Sequence, residues 1–459
     1  MTVGVSILWL RRDLRLHDHP ALVAAVDSGE EVLPVFVRDP VLTASGGVRV
    51  QRLGASLAAL SDATGGALVM RGGDPADVLP ELASEVGATT VHVTRETTPY
   101  GRRRDARVRD ALVADGRALV ATGTPYAVGP GIVRTRAGAP YQVFTPYSQA
   151  WRAHGWPAPA AAPGRVRWAT GVDGDPVLDG TRPGGVATSG AGERAALERW
   201  EGFLADGLER YAIERDRPDL DTTSRMSVHL TYGEIHPRTM LADLARHPCP
   251  SSAGVQRLTT ELAWREFHAD VLWQHPGSAW RDLRTTLTAL PYDEGPVTGE
   301  LVERWRQGRT GYPFVDAGMR QLLAEGWMHN RLRMVTASFL VKDLHVWWPT
   351  GARHFLDHLL DGDIASNSHG WQWVAGTGTD ASPWFRIFNP VDQGKRFDPA
   401  GDYIRRWVPE LAHLDGPAAH EPWRHPDGYA HGYPERIVDH AEERRESLAR
   451  YERARQEKR

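Results

Sequence analysis

The chain has 459 residues, is 41% hydrophobic and 24% charged, and carries a formal net charge of −4. This length exceeds what one hydrophobic core usually organises, so two or more domains are expected. The composition is that of an ordinary globular protein. No apolar run is long enough to cross a bilayer, and a nucleic-acid partner would have to be met by positive charge gathered on one face. The N-terminus runs into Arg11-Arg12-Asp13 without a signal-peptide layout. The single cysteine, Cys249, lies in a loop between Pro248 and Pro250, which excludes an internal disulfide and fits a cytoplasmic protein. Most of the 17 tryptophans lie from Trp200 onward. They can fill a core, line a path for electrons or stack on an aromatic ligand, and composition leaves these open.

In chain order, Val5–Leu10, Val32–Val37, Ala67–Met70, Thr90–Val93 and Ala118–Ala121 are short apolar runs that read as buried strands. Pro20–Asp27, Val48–Ser61, Pro75–Val86 and Arg102–Ala114 carry helical patterns between them. Five strands with helical crossovers predict a Rossmann-like α/β domain over residues 1–125, with a parallel sheet and ligands at the carboxyl ends of the strands. No Gly-x-Gly-x-x-Gly follows the first strand, so a dinucleotide site is not expected there. Residues 126–192, rich in Gly, Pro and Ala, read as a long linker. Residues 193–459 are helical in pattern, through Glu193–Gly207, Gly254–Gln274, Leu301–Gln307, Val315–Glu325, His329–Asp343 and His354–Leu360, and predict an all-α C-terminal domain. His440–Arg459 reads as a solvated helix.

Several segments carry chemistry. Glu261, Trp264, Arg265 and His268 are spaced three and four apart and share a helix face. A surface Glu261–Arg265 pair explains the charges but not the indole; a carboxylate beside an indole suits a flat heteroaromatic ligand. In Gly326–Met334, Asn330 and Met334 are four apart, and Arg331 and Arg333 could reach phosphates. Asp361 and Asp363 flank Gly362, ahead of Asn367 and Trp371. Without clustered His or Cys they fit sugar hydroxyls or a guanidinium better than a metal, so no metal is expected. Thr223-Ser224-Arg225-Met226-Ser227 can cradle a pyrophosphate or simply cap a helix, and taken alone the cap is preferred.

Together and in this order these segments resemble the photolyase/cryptochrome family, and within it the class I cyclobutane pyrimidine dimer photolyases. The resemblance starts at Trp9–Asp18 and runs through Gly311-Tyr312-Pro313 to Phe385–Pro390. It implies that the helical domain binds FAD in a folded shape. By motif match Tyr211, Thr223, Ser224, Arg225, Met226 and Ser227 would hold its phosphates and ribityl chain. Arg331, Asp361 and Asp363 would contact the flavin, and Asn367 would face its N5. Glu261, Trp264, Asn330 and Met334 would contact a pyrimidine dimer, with Arg215, Arg265, His268, Arg333, Gln393 and Lys395 on the DNA-facing side. The implied activity is that of a carbon–carbon lyase acting as a monomer on ultraviolet-damaged DNA. The dimer is turned out of the duplex and split by an electron from photoexcited reduced FAD, the cofactor doing the hard chemistry. Glu261, protonated through desolvation, would stabilise the dimer radical anion. The alternative is a cryptochrome-like photoreceptor without repair.

Two departures stand out. Trp371 and Trp348 match the two members of the family's photoreduction chain nearest the flavin, but the third position aligns with Leu290-Pro291-Tyr292-Asp293. Tyr292 is the expected terminal donor, with Asp293 or water taking its proton. Gly101 stands where folate-binding members carry glutamate. An antenna of 8-hydroxy-5-deazaflavin or methenyltetrahydrofolate, or no antenna, all stay open.

Overall fold

The structure is a computed structural model and describes residues 4–28, 31–43, 47–176, 190–284, 287, 290–380 and 386–456. Phe385, part of the last motif above, lies outside the described residues. The chain divides into two units: residues 1–209 with 224–276, and residues 210–223 with 277–459.

The first unit is built on five parallel strands, β1 (Val5–Leu10), β2 (Glu31–Arg38), β3 (Val69–Gly72), β4 (Thr90–Val93) and β5 (Ala118–Ala121), in the order β3-β2-β1-β4-β5. Ile7 sits opposite Leu33 on one side and Val91 on the other. Both faces of β1 are buried, which explains why its sequence does not alternate. Pro34 interrupts β2 without penalty. Val32 N donates to Arg167 O, so by the two-residue alternation the ring nitrogen of Pro34 faces the same outer side, before β3 begins pairing at Val35.

The crossover helices start where cap and proline coincide. Asp74 accepts from Ala76 N at 3.0 Å ahead of Pro75–Glu85, and Thr98 accepts from Gly101 N at 3.2 Å ahead of Pro99–Ala114. The second helix therefore begins three residues before the Arg102 start read from its charge pattern. Charged side chains meet at the switch point after β1 and β4, where ligands of such sheets bind. Arg11 pairs with Asp105 at 2.6 Å, and Asp13 accepts from Arg11 N at 2.7 Å and Thr94 Oγ1 at 2.5 Å.

Residues 126–192 are more than a linker. They include the helix Phe144–His154, and their first turn is anchored to the helix Ala253–Gln274. Glu266 on that helix accepts from Ala127 N, Val128 N and Gly129 N, and Asp270 accepts from Gly131 N. Such long-range capping places residues 224–276 with the sheet, whereas the helical pattern alone set a boundary at residue 193. Burial raises the pKa of both carboxyls, against the pull of these amide hydrogen bonds.

The second unit is mostly helical. Its core gathers Trp305, Tyr312, Phe314, Leu332, Phe339, Trp348, Phe355 and Trp371. The segment read as one helix from His329 to Asp343 is Asn330–Ser338 followed by a π turn, Phe339–Asp343. The helix Trp348–His358 begins six residues before the expected His354, at Trp347-Trp348-Pro349. No helix among the described residues is long and apolar enough to cross a membrane, and no group of three or more metal-ligating side chains stands ready for a metal.

Candidate functional site

In the first unit the 253–274 helix carries Glu261, Trp264, Arg265 and His268. Its N-terminus is fixed by Ser252, which accepts from Val255 N at 3.4 Å. Trp264 lies flat on Phe144, with centroids 3.6 Å apart and planes 7° from parallel, and its edge meets Phe267. One indole face is thus held in place while the residue stays partly exposed. Phe144 was missed in sequence because it lies in the Gly/Pro-rich stretch; the aromatic run Tyr141, Phe144, Tyr147 was the available signal.

On this helix Glu261 pairs with Arg257 at 3.1 Å, and its side chain is 29% exposed. Arg265 turns inward. Its guanidinium donates to Pro125 O and Leu230 O and lies 4.5 Å over Tyr126. His268 packs on Trp264 with centroids 5.4 Å apart.

The hydroxyl-rich turn begins the helix Ser227–Tyr232, whose first amides receive no side-chain cap. Ser224 Oγ accepts from Met226 N, Ser224 O accepts from Arg199 at 2.7 Å, and Arg225 adopts φ +52°. A non-glycine residue held in the left-handed region is strained and needs surrounding contacts to keep it there.

In the second unit, Arg333 donates to Asp361 at 2.9 Å and to Met328 O at 2.8 Å, and Asp361 is buried. Arg333 is therefore the partner of a carboxylate that the family resemblance assigns to the flavin. Arg331 pairs with Asp216 at 3.0 Å and lies 4.2 Å over Phe397. Asp363 caps the helix Ile364–Ala375 through Ser366 N at 2.9 Å. Asn367 on that helix donates to Ala352 O at 3.0 Å, which leaves its carbonyl oxygen to receive a ligand N–H. Tyr211 is buried with Arg215 over its ring. Asn330 Nδ2 reaches Met334 Sδ at 3.9 Å, so these two form a pair at the helix start, as their spacing implied. Gln393 follows the Asn389 cap, and Lys395 pairs with Glu421.

The shielded hydroxyl oxygens of Thr222 and Thr223 have no hydrogen-bond partner among the described residues, and neither has Arg331 Nε or Gln393 Oε1. Buried polar atoms normally have partners. The unmet Thr222 and Thr223 hydroxyls and Arg331 Nε are what a polar ribityl-phosphate ligand would satisfy, so these residues fit a flavin nucleotide.

His329, the N-cap of the 330–338 helix, accepts from Arg331 N through Nδ1 at 3.1 Å, which requires a neutral ring. Burial lowers its pKa from 6.5 to about 4. The unfolded chain then binds one proton more between these values, so wild type should lose stability as pH falls from 6.5 to 4, by up to about 1.4 kcal/mol per pH unit from this residue. Urea unfolding of wild type and His329→Gln across that range checks this: the wild-type advantage should shrink toward acid, and a constant difference would refute it.

Residues 6–164 match the family profile described as DNA photolyase, and residues 258–453 match the one described as the FAD binding domain of DNA photolyase. A deoxyribodipyrimidine photo-lyase of Streptomyces griseus is 42% identical, with 99% of each chain covered. The chain belongs to the DNA photolyase family. A deoxyribodipyrimidine photo-lyase of Escherichia coli is 38% identical, covering 98% of this chain and 99% of its own. Among solved structures, a bacterial class III photolyase from Agrobacterium tumefaciens superposes with a TM-score of 0.91 at 37% identity, covering 99% and 98%. A cryptochrome of Synechocystis gives 0.87 at 28%, covering 98% and 99%. As a member of the DNA photolyase family the chain is a flavoprotein with FAD as its cofactor. An archaeal photolyase from Sulfolobus tokodaii, TM-score 0.83 at 27% identity over 98% of this chain and all of the other, is described with two FAD molecules and a novel light-harvesting cofactor. In this photolyase-family chain Gly101 is explained locally: a Cβ there would stand 1.9 Å from Glu96 Cγ, and Glu96 itself accepts from Thr97 N and Thr98 N.

Proposed function

We propose that this chain repairs cyclobutane pyrimidine dimers in DNA by light-driven electron transfer from reduced FAD. The observation that carries the reading is Trp264, an indole pinned on one face by Phe144 and partly exposed, on one helix face with a carboxylate. Base–aromatic stacking is sequence-tolerant and contributes about 1–3 kcal/mol per base, which suits a lesion turned out of the stack.

FAD, when bound, supplies the light-driven electron. The protein's own residues do the rest. Tyr211, Thr223, Arg331, Asp361, Asp363 and Asn367 hold and orient it, Asn367 through its carbonyl oxygen toward N5. Arg333 holds Asp361 in place through a charge-assisted hydrogen bond. Glu261 accepts from a pyrimidine imide N–H and Trp264 stacks on the dimer. Arg215, Gln393 and Lys395 contact the DNA backbone. Trp371 and Trp348, both buried in the second unit, begin the relay that reduces the flavin.

The test is loss of thymine dimers from an oligonucleotide with chemically reduced holoenzyme under blue light and in darkness. Repair only in light is expected. Trp264→Ala should retain flavin and weaken binding of dimer-containing DNA by roughly one to two orders of magnitude, the stacking contribution of about 1–3 kcal/mol. Bound flavin with no repair in light would favour a photoreceptor of the cryptochrome kind.

A further inference from the structure

The relay reading above leaves its solvent end unassigned, and Trp305, Tyr292 and Trp347 are candidates for it among the described residues. Trp371 is 3% exposed and Trp348 fully buried. Trp305 meets Trp371 at 6.2 Å but is itself fully buried, with its N–H on Thr336 O, a carbonyl that cannot keep a proton. Tyr292 packs with Leu287, Leu290, Ala454 and Tyr451. Its hydroxyl is shielded without a partner, and burial, reinforced by the charge of Asp282, raises its pKa. A phenol must shed its proton on oxidation, and Asp293, the acceptor expected from sequence, is tied to Arg450 at 2.7 and 3.2 Å. Tyr292 is therefore poorly placed to give up an electron.

Trp347 has what the others lack. It is 37% exposed, and its ring meets that of Trp348 with centroids 6.4 Å apart. Both indole N–H groups donate to one carboxylate: Trp348 to Asp282 Oδ1 at 2.7 Å and Trp347 to Oδ2 at 3.4 Å. A negative charge at that distance favours positive charge on either ring and can accept the proton that an oxidised indole releases.

We propose that Trp347 is the residue through which this relay exchanges electrons with external reductants, and that Asp282 accepts its proton. The proposal rests on the relay reading. One electron passes from Trp371 to the photoexcited flavin, one from Trp348 to Trp371 and one from Trp347 to Trp348. The Nε1 proton of Trp347 goes to Asp282 and then to water. An external thiol returns one electron and one proton to the neutral Trp347 radical and is left as a thiyl radical. Tyr292 takes no part.

The test is blue-light photoreduction of the oxidised holoenzyme with dithiothreitol, followed by flavin absorbance, together with transient absorption of the aromatic radicals. Trp347→Phe should keep its flavin spectrum, lose most of the photoreduction and lose the long-lived deprotonated tryptophan radical. Tyr292→Phe should behave as wild type. Asp282→Asn should prolong the protonated tryptophan radical cation. Full photoreduction in Trp347→Phe, or its loss in Tyr292→Phe, would overturn the assignment. Trp371→Phe separates the two levels: unchanged photoreduction there sinks the relay itself, whereas its loss there with none in Trp347→Phe sinks only the proposed exit.

Discussion

Replacing Glu234 with alanine is expected to remove about 3–5 kcal/mol of stability, the usual cost of leaving a buried charge without its partner. Glu234 is fully buried. Its carboxylate accepts from Arg52 at 2.9 and 2.7 Å, from Gly192 N at 2.7 Å and from His229 Nδ1 at 2.6 Å. Burial would raise its pKa, but His229 and Arg52 outweigh burial and hold it near 2. Arg52 is only 2% exposed, so the alanine variant strands a guanidinium with Ser56 Oγ as its near neighbour. Glu234→Gln should lose less, because the amide oxygen still accepts. Urea unfolding of the holoenzyme, with flavin release followed separately, measures both; an alanine variant within about 1 kcal/mol of wild type would refute this account.

Gly351→Ala should also destabilise, against the ordinary rule. Within a helix alanine gains up to about 1 kcal/mol over glycine. Here a Cβ would stand 2.1 Å from Trp371 Cη2 and 2.6 Å from Leu340 Cδ2. Trp371 is buried among Trp305 and Phe355 and cannot swing away freely. Overpacking of this kind costs about 1–3 kcal/mol, so the steric effect wins. The variant should unfold at lower urea and show a changed near-ultraviolet circular dichroism signal as the indole shifts. A gain in stability would mean that the 348–358 helix can move outward at little cost.

Much of the architecture was legible because local rules and the fold agree. Apolar runs without alternation mark strands buried on both faces, as β1 and β2 are. Helix starts were misread where an N-terminal proline, with a cap at Thr98 and without one at Trp347, outweighed charge or apolar pattern, as at Thr98-Pro99 and Trp347-Trp348-Pro349. Among site residues, the spacing of Glu261, Trp264 and His268 and of Asn330 and Met334 placed each set on one face, because helical geometry is local. Which cation each carboxylate takes was not legible. Glu261 chose Arg257, Asp361 chose Arg333, and Arg265 went to backbone carbonyls.

The sequence by itself therefore determined the parallel sheet, the helical second half and the family, since these follow from periodicity and from motifs in fixed order. Only the tertiary structure decided that Glu266 and Asp270 bind the 253–274 helix to the chain after β5, that Phe144 backs Trp264, and that Asp282 joins Trp347 and Trp348. Each of these joins residues far apart in the chain, through contacts that no short-range pattern encodes.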